Sequence, residues 1–340
     1  MVPCSHFSED TVLMQDNPEK VVHGGVIKQL RESTGLQVID FSANLNPWPP
    51  AVPIEFSLKE ASYYPDDQYF LLKESIAQVC NRPVDEIAVG NGSIELIRVF
   101  CLATLAPGQG IRIDTPTFGE YAFSARLAGA VEARAGERAR VAFVCNPNNP
   151  TGEIQSRGRI LSRLCGSDLL FVDEAFIELS DPRQSVADVR DPALFVCRSL
   201  TKSFAIPGLR FGYAFGDPDL IARIETIRPP WSVNTFAEQY AIKAFRSYDL
   251  LRESRVRIAA EREWLTAALR DFPVTIHPSS VNFLLLTFPG DVTRLCNDLL
   301  AEGVLVRDCH SFGLPDSIRI AVRTRDENRQ LLEAMRRCVH

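Results

Sequence analysis

At 340 residues, of which 46% are hydrophobic, the chain is long enough to bury a large core and to form two lobes. Its formal net charge of −6 and pI near 5.5 argue against non-specific binding to nucleic acid, which depends on clustered basic residues. No apolar run approaches the length of a membrane span, and nine cysteines without a C-x-x-C pair predict reduced thiols in a cytoplasmic protein that binds no metal.

The first turn signal of the chain is Gly24-Gly25, which follows His23 and precedes the apolar-periodic start of a short helix. Glycine lets backbone amides approach an anion closely, although a simple turn is the more common meaning of such a pair. The stretch 38–47 predicts a short strand that runs into a proline-closed loop containing Asn44.

A strand, a glycine turn and a helix follow one another between residues 87 and 100, with Gly92 and Ser93 in the turn. This order leaves free backbone amides at the start of the helix, where they can bind one phosphate group. A dinucleotide fingerprint would need a third glycine where Glu95 stands, so the sequence disfavours a Rossmann dehydrogenase.

Three further predicted strands end close to Phe118, Asn149 and Asp173, respectively. The second and third are continuous apolar runs, as expected in a parallel sheet that is covered on both faces. Each polar or aromatic residue has an ordinary explanation: a hydrophobic plug, a loop asparagine, or a solvated carboxylate at a strand end. The functional alternative for each of them comes from the family resemblance described below.

A lysine, Lys202, stands in the hydroxyl-rich run S-L-T-K-S, which begins at Ser199 and is followed by Pro207-Gly208 and Arg210. Lysine is rare in this chain, with six against thirty-one arginines. An ε-amine can form a Schiff base with an aldehyde, which a guanidinium cannot do, whereas hydroxyls and an arginine suit a phosphate. A solvated loop lysine is the alternative interpretation.

The last third of the chain predicts a smaller lobe in which helices and strands alternate. Helices are expected at 235–247 and 250–271, and further elements follow: strands near 281–287, 304–307 and 317–322, and helices near 291–302 and 326–338. Arg307 and Arg319 lie in the second and third of these strands, where a surface arginine is the alternative to a ligand-binding one.

Together, S-x-T-K with P-G-x-R, the N-P-T-G-type loop at Asn149 and the strand that ends at Asp173 resemble the class I/II, fold-type-I pyridoxal-phosphate enzymes. The resemblance implies an α/β fold with a mostly parallel seven-stranded sheet, divided into an arm at 1–45, a large domain at 46–230 and a small α+β domain at 231–340. It also implies a homodimer in which Tyr64, held extended by Pro65, crosses to the partner's site.

Pyridoxal 5′-phosphate is the cofactor that this family implies, with Lys202 forming the Schiff base and Asp173 pairing with the pyridine nitrogen as the catalytic residues. The other residues that the resemblance assigns to the cofactor are Gly92, Ser93, Phe118, Asn149, Ser199, Arg210 and Tyr64. Phe176 departs from the tyrosine of many relatives, and this removes one hydrogen-bond donor to the phenolic oxygen of the cofactor.

Within the family, the H-G-G and D-F-S-A-N-L-N-P runs resemble the L-threonine-O-3-phosphate decarboxylases, and histidinol-phosphate aminotransferases are the near relatives. The implied substrate contacts are His23, Gly24, Asn44, Asn149, Arg307 and Arg319. Decarboxylation requires the Cα–carboxylate bond to stand perpendicular to the ring, whereas transamination requires the Cα–H bond there. The sequence leaves this choice open, and a non-catalytic cofactor-binding protein is a third possibility that the intact Lys202, Asp173 and Arg210 disfavour.

Overall fold

The computed structural model describes residues 21, 24–25, 27–34 and 37–339; the predicted contacts of His23 lie outside this part of the chain. The strands are β1 Ile39–Asp40, β2 Ile87–Asn91, β3 Gly110–Ile113, β4 Val131–Glu132, β5 Ala139–Cys145, β6 Ser167–Asp173, β7 Leu194–Ser199, β8 Phe211–Phe215, β9 Thr275–Ile276, β10 Phe283–Thr287, β11 Val304–Leu305, β12 Arg307–Asp308 and β13 Ser317–Ala321. The helices are α1 Ile27–Thr34, α2 Phe70–Cys80, α3 Ser93–Thr104, α4 Glu120–Leu127, α5 Arg157–Leu161, α6 Leu200–Ser203, α7 Pro218–Ile227, α8 Thr235–Arg246, α9 Leu251–Leu269, α10 Thr293–Ala301 and α11 Arg325–Cys338.

Seven strands form the large sheet, in the order β2-β8-β7-β6-β5-β3-β4. All neighbours are parallel except β8, which runs antiparallel to both β2 and β7. Side chains alternate along β6: Leu170 and Val172 enter the core on one face of the sheet, and Leu169 and Phe171 enter the core on the other. Burial on both faces explains the continuous apolar runs, and the predicted mostly parallel seven-stranded sheet is confirmed.

A second sheet, of order β12-β13-β10-β9, is antiparallel and packs with α9, α10 and α11 around a separate apolar core. Strand β1 pairs in parallel with β11, and the fully buried Phe41 belongs to the same core. The segment around β1 therefore packs on the C-terminal part of the chain, as an N-terminal arm on the small domain would. The three domain boundaries stay a prediction.

The predicted strand near 304–307 is two short strands that belong to different sheets. Strand β11 pairs with β1, and β12 pairs with β13 after one intervening residue, the buried Val306. Each of these strands has only two residues, too few to show a period of its own, so the sequence pattern does not reveal the change of partner at Val306. The described residues contain no helix with both the length and the hydropathy that a membrane crossing requires.

Candidate active site

A cavity of about 480 Å³ opens where the carboxyl ends of β5, β6 and β7 face β12 and β13. Eleven of the predicted site residues line it: Gly24, Asn44, Ser93, Phe118, Asn149, Asp173, Ser199, Lys202, Arg210, Arg307 and Arg319. Gly92 lies directly before Ser93 at the edge of this cavity. Tyr64 lies outside it: the side chain is 78% exposed, and its ring stacks on Trp231 with 4.4 Å between the ring centroids.

Lys202 lies in the four-residue helix α6, which begins where the Ser199 hydroxyl accepts a hydrogen bond from the backbone N–H of Thr201 (3.2 Å). The carbonyl of Lys202 accepts a hydrogen bond from the backbone N–H of Asn46 (3.0 Å). The backbone of α6 is therefore held by Ser199 at its start and by the loop after β1 at Lys202. Burial, together with the nearby Arg319 and Arg210, lowers the pKa of Lys202 to about 8. Much more of this amine is therefore unprotonated and nucleophilic at neutral pH than for an exposed lysine.

Asp173 ends β6 and is almost completely buried. Tyr121 Oη donates to its Oδ2 at 2.7 Å, and the backbone N–H of Ala175 donates to its Oδ1 at 2.9 Å. Burial raises the pKa of Asp173 to about 6, while these two hydrogen bonds act in the opposite direction. The result is a fixed carboxylate at the floor of the cavity that can share a proton with a basic ring nitrogen.

Tyr121 is a site residue that sequence reasoning missed. It is fully buried in α4, stacks on Phe143 with an interplanar angle of 15°, and reaches Asp173 from a neighbouring strand connection. The available signal was its place three residues after Phe118; the two ring centroids lie 5.6 Å apart, and both side chains line the cavity.

The start of α3 and Arg210 form a positively polarised corner of the cavity. Gly92 has φ of 76°, and a Cβ atom on it would lie 2.6 Å from Arg210 Nη2. A Cβ atom on Gly212 would lie 2.4 Å from the backbone nitrogen of Ser93. Glycine at both positions brings a guanidinium and free helix amides together, which is the donor set that a phosphate requires.

Arg307 and Arg319 are directly opposite each other on the paired strands β12 and β13. Arg319 donates from Nη1 to Asn149 Oδ1 and from Nη2 to the carbonyl of Ser42 (2.9 Å), and its buried Nε has no hydrogen-bond partner among the described residues. Burial, with Arg307 acting in the same direction, lowers the pKa of Arg319 to about 10. Arg307 donates from Nη2 to Ser311 Oγ at 2.6 Å.

The loop after β1 closes the cavity, and its shape depends on Asp40. The Asp40 carboxylate accepts hydrogen bonds from the backbone N–H (2.8 Å) and the hydroxyl (2.6 Å) of Ser42. A Cβ atom on Gly24 would lie 2.9 Å from the carbonyl oxygen of Ser42, so the glycine turn packs directly on this loop. Asn44 follows with its Oδ1 buried and without a hydrogen-bond partner in the described part of the chain. Sequence reasoning named Gly24 and Asn44 but missed Asp40 and Ser42.

The residues present fit pyridoxal phosphate. The cavity combines a partly buried amine at Lys202, a buried carboxylate at Asp173, an arginine and helix amides at Arg210 and Ser93, and an aromatic ring at Phe118. Phe176 also lines it, with its ring centroid 6.0 Å from Lys202 Nζ. Among the residues that the structure describes, no cluster of three or more His, Cys, Asp and Glu side chains could hold a metal ion.

Comparisons with known proteins agree with this geometry. The family model described as aminotransferase class I and II matches residues 56–137 and 130–335. A histidinol-phosphate aminotransferase from Symbiobacterium thermophilum is 31% identical over 341 residues, covering 93% of this chain and 94% of the relative. A protein from Caldanaerobacter subterraneus subsp. tengcongensis, provisionally named threonine-phosphate decarboxylase, is 34% identical, covering 86% of this chain and 88% of the relative.

The solved structure of histidinol-phosphate aminotransferase from Sinorhizobium meliloti, in complex with pyridoxal 5′-phosphate, aligns with a TM-score of 0.82. The two proteins are 22% identical, and the alignment covers 98% of this chain and 99% of the other. The predicted fold-type-I fold is thereby confirmed. Aminotransferases acting on histidinol phosphate are more frequent among the relatives than threonine-phosphate decarboxylases.

Proposed function

The chain belongs to the aminotransferase class I and II family, and on that premise we propose that it decarboxylates L-threonine O-3-phosphate in cobalamin biosynthesis. Pyridoxal 5′-phosphate is its cofactor, and (R)-1-amino-2-propanol O-2-phosphate is the product. When bound, the cofactor supplies an aldehyde that joins the substrate amine and a pyridine ring that withdraws electrons from the bond to be broken. The described cysteines are all free thiols, which supports a cytoplasmic location.

Each role at the cofactor falls to a residue of the cavity. Lys202 Nζ is the amine for the aldehyde, and its pKa of about 8 suits it to return a proton to the substrate Cα near neutral pH. Asp173 would pair with the ring nitrogen, and Arg210 with the amides at Ser93 would hold the cofactor phosphate; all three residues line the cavity. Because Asn149 Oδ1 accepts from Arg319, the amide nitrogen of Asn149 would be the donor to the cofactor's phenolic oxygen.

The observation that carries the substrate assignment is the facing pair Arg307 and Arg319. Like charges directly opposite each other destabilise a sheet, and both guanidinium groups are also largely buried. A ligand with two anionic groups on adjacent carbon atoms would place one group at each guanidinium. Threonine phosphate has this arrangement, with a carboxylate on Cα and a phosphate on Cβ.

Binding both anionic groups of the substrate also determines which bond at its Cα is broken. A substrate held only at its amine can rotate about the N–Cα bond, whereas one held at its carboxylate by Arg319 and at its phosphate by Arg307 cannot. Arg319 is itself fixed by Asn149 and by the carbonyl of Ser42, so the carboxylate is held in a defined direction relative to Lys202. Decarboxylation requires that control of direction.

The test is to incubate the cofactor-loaded enzyme with threonine phosphate, in the absence of any 2-oxo acid, and to measure carbon dioxide. We expect repeated turnovers, a visible absorbance that borohydride bleaches, and loss of both with Lys202→Ala. Threonine without phosphate serves as the substrate control. Turnover that requires histidinol phosphate with 2-oxoglutarate, and that yields glutamate, would contradict the proposal.

Histidinol-phosphate aminotransferase is the second candidate, because proteins of that name are the more frequent relatives. Such an enzyme must bind a phosphate in one half-reaction and the α-carboxylate of glutamate in the other. The same two arginines could serve these ligands in turn. The two candidates differ in whether both anions are bound at once, which the carbon dioxide measurement reads directly.

A further inference from the structure

The turn that follows β12 contributes a hydroxyl to the cavity beside Arg307. Ser311 lines the cavity, and its Oγ accepts a hydrogen bond of 2.6 Å from Arg307 Nη2. A serine hydroxyl can accept and donate at the same time, and Arg307 has donor groups only. The Ser311 hydroxyl proton therefore points away from the guanidinium and is available to a ligand in the cavity.

The neighbouring residues hold this arrangement in place. The Arg307 guanidinium lies over the ring of Phe312, 5.5 Å from its centroid, and Phe312 also lines the cavity. His310 holds the turn in position on its solvent side. One ring nitrogen of His310 lies 2.8 Å from Asp291 Oδ2, just before α10, and the other lies 2.5 Å from Asp308 Oδ1. Ser311 is therefore flanked in the chain by His310, which is within hydrogen-bonding distance of two aspartates, and by Phe312, which packs against Arg307.

We propose that Ser311 and Arg307 together form the subsite for the substrate phosphate, and that Ser311 selects phosphorylated over unphosphorylated substrates. This inference rests on the proposed function insofar as the phosphate belongs to threonine phosphate. A phosphate has three terminal oxygens, so it can accept from the guanidinium and from the hydroxyl at the same time.

The opposite arginine suits a carboxylate instead. Two of the donors of Arg319 are already used by Asn149 Oδ1 and the carbonyl of Ser42, both of which are acceptors and cannot donate to an anion at those atoms. Three N–H groups of Arg319 remain for a ligand, including that of the buried Nε. The hydrogen bonds of Arg319 in the described part of the chain involve no hydroxyl, whereas Arg307 is hydrogen-bonded to that of Ser311. The two subsites are therefore chemically distinct although their strands are neighbours.

The experiment compares cofactor-loaded wild type, Ser311→Ala and Ser311→Thr. Inorganic phosphate is titrated into each protein by calorimetry, and KM and kcat are then measured for threonine phosphate. We expect Ser311→Ala to weaken phosphate binding and raise KM by roughly tenfold to a hundredfold, the usual effect of losing one hydrogen bond to a charged group. The value of kcat should change much less, and Ser311→Thr should restore both phosphate binding and KM.

L-Threonine, which lacks the phosphate, is the matched control and should bind wild type and Ser311→Ala equally.

Two outcomes would overturn the inference: phosphate binding that is unchanged in Ser311→Ala, or an equal loss of threonine and phosphate binding. Failure of the proposed function has a different signature. If threonine phosphate is not turned over but phosphate binding still depends on Ser311, the subsite stands and only the reaction assignment is wrong.

Discussion

Lys202 is partly buried beside two arginines, so its protonated form destabilises the cofactor-free protein. Its pKa falls from the ordinary 10.5 to about 8, which corresponds to roughly 3 kcal/mol of unfavourable free energy at pH 7. We therefore predict that Lys202→Met raises the free energy of unfolding of the cofactor-free protein by up to about 3 kcal/mol at pH 7. Urea denaturation measures this change.

The pH dependence of that difference follows from the direction of the shift. Between pH 8 and 10.5 the unfolded chain holds a proton that folded Lys202 has released, so the wild type gains stability as the pH rises through this range. The advantage of Lys202→Met should therefore shrink above pH 8. Lys59→Met, at an exposed lysine, is the control and should change the free energy of unfolding by less than about 0.5 kcal/mol. Equal stability of wild type and Lys202→Met at every pH would show that burial does not perturb this amine.

Which individual site residues the sequence could reveal depends on how local their signal is. Lys202, Asp173 and Arg210 stand in short motifs whose spacing limits their chemistry, and all three line the cavity. The contact of Arg319 with Ser42 joins residues 277 positions apart, and nothing in either local sequence indicates the other. Contacts of this kind depend on the packing of whole elements, which a single sequence does not specify.

At the scale of elements, the long central strands were predicted from their pattern, whereas the two-residue strands β11 and β12 were predicted as one strand. β5 and β6 are apolar throughout because both of their faces are buried, and this leaves a clear pattern. A pair of residues such as β11 or β12 has no periodicity to detect. The facing of Arg307 and Arg319 depends on one such strand, so the candidate residues were predictable but their mutual geometry was not.

A buried ion pair connects the C-terminal ends of β6 and β7 next to the cavity. Arg198 Nη2 and Nε donate to Glu174 Oε2 at 2.9 and 3.0 Å, and both residues are buried. Glu174 follows Asp173 in the chain, and Arg198 precedes Ser199. The pair therefore holds two cavity-lining segments at a fixed separation, although two buried charges carry a large desolvation penalty.

We predict that Arg198→Met lowers the free energy of unfolding by about 3–5 kcal/mol, because it leaves the Glu174 carboxylate buried without its partner. The double variant Glu174→Gln with Arg198→Met should recover part of that loss, since it removes the Glu174 charge but leaves the buried Glu178 carboxylate, which lies 3.4 Å from Arg198 Nη1, without that partner. Denaturant unfolding of the two single variants and the double variant measures the coupling.

The exposed pair Arg183 and Asp181 provides the matched control for this cycle. The Arg183 side chain is largely exposed to solvent, so Arg183→Met should change the free energy of unfolding by no more than about 1 kcal/mol. Similar losses from Arg198→Met and Arg183→Met would mean that burial does not distinguish the two pairs. Failure of the double variant to recover any stability would show that the loss in Arg198→Met does not come from the unpaired charge of Glu174.

At the scale of the whole molecule, one region of the described surface exposes many large apolar side chains. Those between residues 56 and 71 are Phe56, Leu58, Tyr63, Tyr64, Phe70 and Leu71, and Trp231 packs against Tyr64. Clustered exposure of this kind is typical of a surface that binds another protein. Tyr64 lies outside the cavity of its own chain, which is the position expected of a residue that serves a partner's site.

The chain is accordingly predicted to form a homodimer in which Tyr64 binds the cofactor phosphate of the other subunit. Tyr64→Phe should weaken cofactor binding by about 1.5–3 kcal/mol, or roughly tenfold to a hundredfold, without unfolding the chain.

Mixing this variant with Lys202→Ala then tests whether Tyr64 serves the partner's site. In a heterodimer, one site carries both lesions and the other has an intact Lys202 and receives an intact tyrosine from its partner. Activity at limiting cofactor should therefore reappear on mixing. If Tyr64 served its own subunit, neither site would be intact and no activity would return. A mixture of Lys202→Ala with Asp173→Asn is the control: both residues line the cavity of their own chain, so every site in that mixture carries a lesion and activity should stay absent.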